Sequence, residues 1–188
     1  EEEFLAELEY VKANIIPAYH ELQGKLSTEE GMKKYLLLER EADLRISRLA
    51  MFASMRSDLD KKNIENAKDY SKIDLLFNDY SVATSFVNPE ILKAGKEFVD
   101  EFLKNNEEFK DFDFTFEKLF RGEKFVLPVE QERLTSYYAP LSGEGSQLYS
   151  LLSVADYQPK VVTLTDGTSV EVSQANWTTL VSQAKSQE

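Results

Sequence analysis

Between Gly31 and Pro89 the chain contains neither glycine nor proline. So long a stretch without a breaker, carrying apolar residues at steps of three and four, is satisfied by long α-helices. Tyr35, Leu38, Ala42, Ile46, Leu49 and Ala53 form one stripe, with Lys33, Arg40, Asp43, Ser47 and Ser54 on the opposite side. Ser27-Thr28-Glu29-Glu30 reads as a capping box. The Ser27 hydroxyl accepts from the N–H of Glu30, and the Glu30 carboxylate reaches back. The spacing predicts one helix from about Thr28 to Ser57. The polar segment 58–63 separates it from a second, running to about Phe86 on the stripe Tyr70, Ile73, Phe77, Tyr80 and Thr84. A connection this short predicts antiparallel neighbours.

Upstream, Phe4, Leu8, Val11 and Ile15 predict a helix over about Glu3 to Gln23, kinked or interrupted at Pro17 and closed by Gly24. Downstream, Asn88-Pro89-Glu90 reads as N-cap, first helical position and first-turn acid of a helix reaching about Leu103. Shorter helices are expected over Phe112–Phe120, Pro128–Tyr138 and Ser146–Val154. The period then changes. Val161-Val162-Thr163-Leu164 and Ser169-Val170-Glu171-Val172 flank Asp166-Gly167, a hairpin signal. A two-residue turn pairs Val161 with Val172 and Thr163 with Val170, placing Val161, Val170 and Val172 on one face. Ser173 then caps a last helix with Trp177, Leu180, Val181 and Ala184.

The expected fold class is mainly α: an antiparallel long-helix bundle, then short helices and one small β-hairpin. The expected organisation is the bundle over 1–104, a short-helix and hairpin subdomain over 105–175, and the start of a further helix over 176–188.

The chain has 188 residues and a formal net charge of −12, which disfavours nucleic acid as a partner. No apolar run of about 18 residues is present, so no membrane span is expected. Cysteine is absent, removing disulfides, thiolate catalysis and Cys-ligated zinc. There is one histidine, His20, so any mechanism or metal site needing two imidazoles within the chain is excluded.

The remaining constellations are weighed against plainer readings. His20-Glu21 is half of an H-E-x-x-H zinc helix, but position 24 is Gly24, so His20 reads as an ordinary helix residue. Glu29/Glu30 and Glu107/Glu108 read as solvated first-turn charges rather than di-iron ligands, which need Glu-x-x-His on two helices. Arg121-Gly122-Glu123-Lys124 lacks the spacing of a phosphate loop and reads as a helix C-terminus. Tyr137/Tyr138 is either core or part of a peptide groove. No catalytic, cofactor-binding or metal-binding residue is assigned.

Three ordered stretches carry a resemblance. Thr84–Leu92 (TSFVNPEIL) resembles the S-F-[IV]-x-P-E-[IL]-L segment of the oligoendopeptidase F family. Lys118–Glu132 (KLFRGEKFVLPVEQE) is similar to its R-x-K-x-H-x-L-S-x-x-x-E stretch, departing at Phe125 and Pro128. Leu151–Asp156 with Asp166-Gly167 and Trp177 resembles L-x-x-A-D-…-D-G-…-L-T-x-x-x-[YW]. The resemblance covers about Leu26 to Gln183.

It implies a divergent relative of cytoplasmic bacterial zinc metallopeptidases that hydrolyse oligopeptides. In that family the zinc-binding H-E-x-x-H helix lies in a C-terminal catalytic domain, which follows the region resembled here. The implied function is a non-catalytic N-terminal lobe that walls and gates the substrate channel. Its implied partners are its own C-terminal catalytic domain and oligopeptides; zinc belongs to that domain, with no cofactor in this chain. On this reading the chain alone is not an enzyme and its parent is. The alternative is a free-standing acidic helical protein- or peptide-interaction module.

Overall fold

The computed structural model describes residues 2–155, 158–164, 166–173 and 175–183. Its first helix is remodelled at the proline rather than ended by it. Helix α1 (Glu2–Tyr10) passes through a π-helical turn (Val11–Ile15) into α2 (Ile16–Leu22). Pro17 has no N–H to offer the Ala13 carbonyl, and its ring presses on that carbonyl. Widening the preceding turn, with Ile16 N–H donating to the Val11 carbonyl, relieves the conflict while the helix continues. Phe4, Leu8, Val11, Ile15, Tyr19 and Leu22 are buried along one side. Gly24 stops the run at φ +82°.

Helix α3 (Glu29–Leu59) is capped by Thr28, not by Ser27 as the sequence suggested. Thr28 Oγ1 accepts from Gly31 N–H at 3.1 Å and donates to the Lys25 carbonyl at 2.8 Å. The shift by one residue puts Gly31 at the third helical position, where a Cβ would collide with the Lys25 carbonyl oxygen. Of the expected stripe, Ala42, Ile46, Leu49 and Ala53 are buried, joined by Met32 and Leu36, while Tyr35 and Leu38 pack on the core half-buried.

Helix α4 (Ile64–Thr84) starts at Asn63, whose side chain accepts from the N–H groups of Glu65 and Asn66. Its buried face is Asn66, Asp69, Ile73, Leu76 and Ala83. This corrects the expected stripe: Tyr70 and Phe77 are exposed, and two polar residues take the inward positions. Both are satisfied. Asn66 Nδ2 donates to the Arg56 carbonyl at 2.8 Å, and Asp69 accepts from Arg56 at 2.8 Å and Lys72 at 2.9 Å.

The neighbours are antiparallel. Arg56 meets Asp69 and Glu39 meets Tyr80, which fixes α4 against α3. Phe4 meets Phe52, Glu7 meets Arg45 and Tyr19 meets Glu39, which fixes the first helix against α3 in the same sense.

The helix expected from Asn88 to Leu103 is two helices, α5 (Val87–Ala94) and α6 (Lys96–Asn105). Gly95, at φ +92° and ψ 154°, separates them in a conformation open essentially to glycine alone. The first begins at Val87, so Asn88 lies inside its first turn rather than at its cap. A 3₁₀ turn (Glu107–Phe112) leads to α7 (Asp113–Arg121), and another (Glu123–Phe125) precedes α8 (Val129–Ser136). Phe102 stacks on Phe109 at 5.8 Å, and Arg40 of α3 lies 5.0 Å from the Phe109 ring and 5.3 Å from Phe112. These aromatics join the core of the long helices.

The chain forms two compact units, Glu1–Glu144 and Gly145–Glu188. Helix α9 (Ala139–Ser150) starts before the expected Ser146, and a π-helical turn (Leu151–Ala155) follows it. Strands β1 (Lys160–Thr163) and β2 (Ser169–Val172) pair antiparallel as Lys160↔Val172, Val161↔Glu171, Val162↔Val170 and Thr163↔Ser169.

That register is one residue off the expected one. Leu164 N–H donates to the Thr168 carbonyl, and Gly167 sits at φ +87°, so the loop has three residues instead of two. Thr165, its first residue, lies outside the described residues. Because the side-chain period is two, the slip moves Val161 to the face of Glu171, away from Val170. Ser173 and Asn176 exchange caps in a turn preceding α10 (Trp177–Gln183); Ala184 lies outside the described residues. No helix among the described residues is long and apolar enough to cross a membrane.

Candidate functional site

The side of α3 that faces the first helix is only partly covered, and two troughs result. One, of about 1080 Å³, lies between α1 and α3 and exposes Ala6, Tyr10, Leu44 and Arg48. The other, of about 570 Å³, lies between α2 and α3 beside Ala18 and Leu37. Glu41 borders both, so the two troughs adjoin along α3.

Between the apolar residues sits an ordered ionic cluster. Arg45 donates to Glu7 at 2.6 Å and to Glu41 at 2.9 Å, with its guanidinium 4.2 Å from the Tyr10 ring centroid. The two carboxylates, Glu7 first, hold its pKa above the usual arginine value. Arg48, one turn away and exposed, makes no hydrogen bond or ion pair among the described residues. Small and apolar surface with a fixed cation and an unpaired one suits the apolar and carboxylate groups of an extended peptide or a helix.

Three helices also meet at a half-buried polar knot. Tyr19 Oη donates to Glu39 Oε2 at 2.6 Å and lies 3.2 Å from Tyr80 Oη, while Tyr80 Oη donates to both Glu39 oxygens at 3.1 and 3.2 Å. Tyr35 packs edge-on to Tyr19 at 6.4 Å. Burial, and then the Glu39 charge, push the phenols of Tyr19, Tyr35 and Tyr80 well above the ordinary tyrosine pKa. Phenols held protonated in this way donate hydrogen bonds and take no part as bases near neutral pH. The knot ties α2, α3 and α4 together. Glu39 looks like an ordinary surface acid in sequence; its positions relative to Tyr35 and Ala42 were the available signal.

The residues weighed from sequence are scattered. His20 is exposed on α2, at the edge of a cleft of about 230 Å³ that Tyr137 also lines. Tyr138 is exposed. Glu29 and Glu30 pair with Lys33 at 3.0 Å and Lys34 at 2.7 Å, and these hydrogen bonds lower both carboxyl pKa values. Glu107 pairs with Lys110, and Glu108 is exposed. Gly122 ends α7, its N–H donating to the Lys118 and Leu119 carbonyls. A single exposed imidazole does not fit a zinc centre, and the described residues include no group of three or more His, Asp or Glu placed to hold a metal ion.

Comparison with known proteins agrees with the sequence resemblance. The family described as oligopeptidase F matches residues 90–158. The group B oligopeptidase PepB of Streptococcus agalactiae is 24% identical over 83% of this chain and 26% of its own length. Oligopeptidase PepF of Bacillus subtilis is 26% identical over 87% of this chain and 24% of its own. An oligoendopeptidase F homolog of Borreliella burgdorferi is 28% identical over 82% of this chain and 27% of its own. The chain thus spans about a quarter of the length of these curated relatives.

In fold it is similar to a crystal structure of oligoendopeptidase-F from Enterococcus faecium. The TM-score is 0.79 at 18% identity, covering 96% of this chain and 34% of that one. A putative peptidase from Chlamydophila abortus gives 0.57 at 24% identity over 93% of this chain and 29% of the other. At such identities these structures speak for the fold alone. In sequence and in fold the chain is thus similar to the N-terminal part of oligoendopeptidase F proteins.

Proposed function

We propose that this chain is the non-catalytic N-terminal lobe of a cytoplasmic zinc metallopeptidase that cleaves oligopeptides, and that it walls and gates the substrate channel for a C-terminal catalytic domain. The observation that carries the reading is a mismatch. The relatives are named as oligopeptidases and are about four times as long, whereas this chain has one imidazole and no described cluster of metal-ligating side chains. Hydrolysis by such a protein is a task for residues beyond this stretch, where zinc supplies the Lewis acid and lowers the pKa of a bound water.

What remains for these residues is confinement. A rigid helical wall, pinned by the Tyr19–Glu39–Tyr80 knot, keeps a flexible peptide in register and excludes a folded one. The troughs along α3 offer it apolar surface and the Arg48 cation.

One observation favours the rival reading of a free-standing interaction module. Leu37, Leu44, Met51, Met55 and Leu59 form an exposed apolar seam along α3. The coding sequence downstream of Glu188 separates the two. An H-E-x-x-H within the following few hundred codons is expected, and a stop codon there overturns the lobe reading. A second assay uses the 188-residue chain on quenched fluorescent peptides with added zinc. No turnover is expected, and zinc-dependent cleavage by the chain alone refutes the division of labour.

A further inference from the structure

The cleft beside His20 differs from the rest of this acidic surface. It is bounded by the last turn of α2, the C-terminal end of α4 and one side of α8, and it has a volume of about 230 Å³. His20 and Gln23 enter from α2, Arg133 and Tyr137 from α8 and the residue that follows it, and Phe86 contributes an apolar wall. The one carboxylate in the lining is Glu130, in a chain where acids outnumber Lys and Arg by 34 to 22. His20, Gln23 and the Tyr137 hydroxyl make no hydrogen bond among the described residues. Three side chains able to donate therefore border one small space with their hydrogen bonds unmade.

Arg133 completes the set. One of its amino groups donates to Glu130 at 2.7 Å, and the rest of its planar fork is unengaged. The pair sits one turn apart on α8, with both side chains more than half exposed. A pair so exposed contributes little and exchanges readily for an incoming anion. Glu130 also indicates the ligand chemistry that Arg133 accepts, a planar carboxylate.

The geometry points to a binding site for the terminal carboxylate of a short peptide, held by Arg133 with His20, Gln23 and Tyr137 as further donors. The volume supports an end group rather than a whole ligand, since pockets that enclose drug-sized molecules run to roughly 300–1,000 Å³. The carboxylate comes from the cleft itself; that it belongs to a peptide rests on the function proposed above.

Proton NMR of the 188-residue chain tests this directly, because the single histidine gives a single imidazole C2–H signal. The probes are N-acetyl-alanyl-alanine with a free carboxylate, the same peptide amidated, and inorganic phosphate. The free acid is expected to move the His20 signal saturably while the amide leaves it in place. Arg133→Gln is expected to weaken the effect by about tenfold or more, and Arg133→Lys by less, since it keeps the charge and loses the fork. Far-UV circular dichroism of both variants establishes that they remain folded; should one unfold, Tyr137→Phe takes its place with a smaller expected loss.

The proposal is overturned if the free acid leaves the signal unmoved, if the amide moves it equally, or if phosphate moves it as far as the acid. These failures leave the downstream test of the lobe reading untouched. A stop codon after Glu188 together with carboxylate binding sinks the lobe and keeps the cleft.

Discussion

The two units use their apolar residues in opposite ways. In the first, Glu1–Glu144, the buried set runs from Phe4 to Phe116 and links α1 through α7. In the second, Gly145–Glu188, no described residue is buried; Val161 is 62% exposed and Trp177 58%. Both carry strongly patterned apolar residues, so the pattern alone does not decide burial. A helical stripe is covered when other helices supply complementary stripes, and α2, α3 and α4 do this for one another. A two-stranded hairpin has no second layer of its own and is marginal in water. The stability of the chain accordingly resides in the first unit.

Equal truncations on the two sides probe that contrast most strongly. Leu36→Ala removes a side chain with no solvent exposure. It is expected to cost about 2–5 kcal/mol in urea unfolding, the usual range for a buried leucine. Leu180→Ala, on a half-buried position of α10, is expected to stay within about 0.5 kcal/mol. Equal costs at the two sites would show that the second unit shares the cooperative core.

A smaller effect comes from the buried polar face of α4. Asp69 is 2% exposed and held by Arg56 and Lys72. Asp69→Ala removes the shared acceptor, but both cations reach solvent, so the expected cost is about 2–3 kcal/mol rather than the full penalty of a stranded charge. The same urea experiment reads it, and a loss under 1 kcal/mol would show that the pair contributes little (~1 kcal/mol or less, as at exposed sites).

Much of the fold was legible because helical spacing survives local error. Long α3 and α4, their antiparallel order and the later hairpin all follow from stripes, caps and Asp166-Gly167. What escaped were features that patterning does not encode. Asn66 and Asp69 sit where apolar residues belong, because Arg56 and the end of α3 satisfy them, a tertiary fact. Gly95 breaks a helix that the flanking residues support, and only its positive φ reveals why. In the hairpin, one extra loop residue sufficed to shift every pair. The candidate site was almost illegible: the Tyr19–Glu39–Tyr80 knot and the His20 cleft gather residues up to 117 positions apart (His20 to Tyr137), none part of a recognisable motif.

The knot gives an alkaline signature confined to the first unit. Folded-state phenol pKa values above the unfolded value near 10 mean that the protonated form is favoured in the fold. The stabilisation is therefore full below about pH 10 and is lost as pH rises beyond it toward the folded values. Ultraviolet titration of tyrosinate should find Tyr19, Tyr35 and Tyr80 silent until the chain unfolds. Tyr80→Phe should cost about 1 kcal/mol at neutral pH, the net worth of a hydrogen bond. Nine tyrosines ionising together in the native state would remove the knot as a structural tie.

A further contrast compares two glycines that both face open space. At Gly95 a Cβ meets nothing within 4 Å, yet φ +92° and ψ 154° penalise any side chain, so Gly95→Ala should destabilise by about 1–2 kcal/mol. Gly143 lies inside α9 with equal room and no positive φ, so Gly143→Ala should stabilise that helix by about 0.5–1 kcal/mol. The opposite signs isolate backbone conformation from packing, since neither methyl touches anything. Because α9 crosses from one unit to the other, where the gain appears is informative. If Gly143→Ala raises the urea midpoint of the whole chain, α9 belongs to the unfolding unit that holds the core. If it only slows amide exchange in residues 139–150, α9 opens separately from that core.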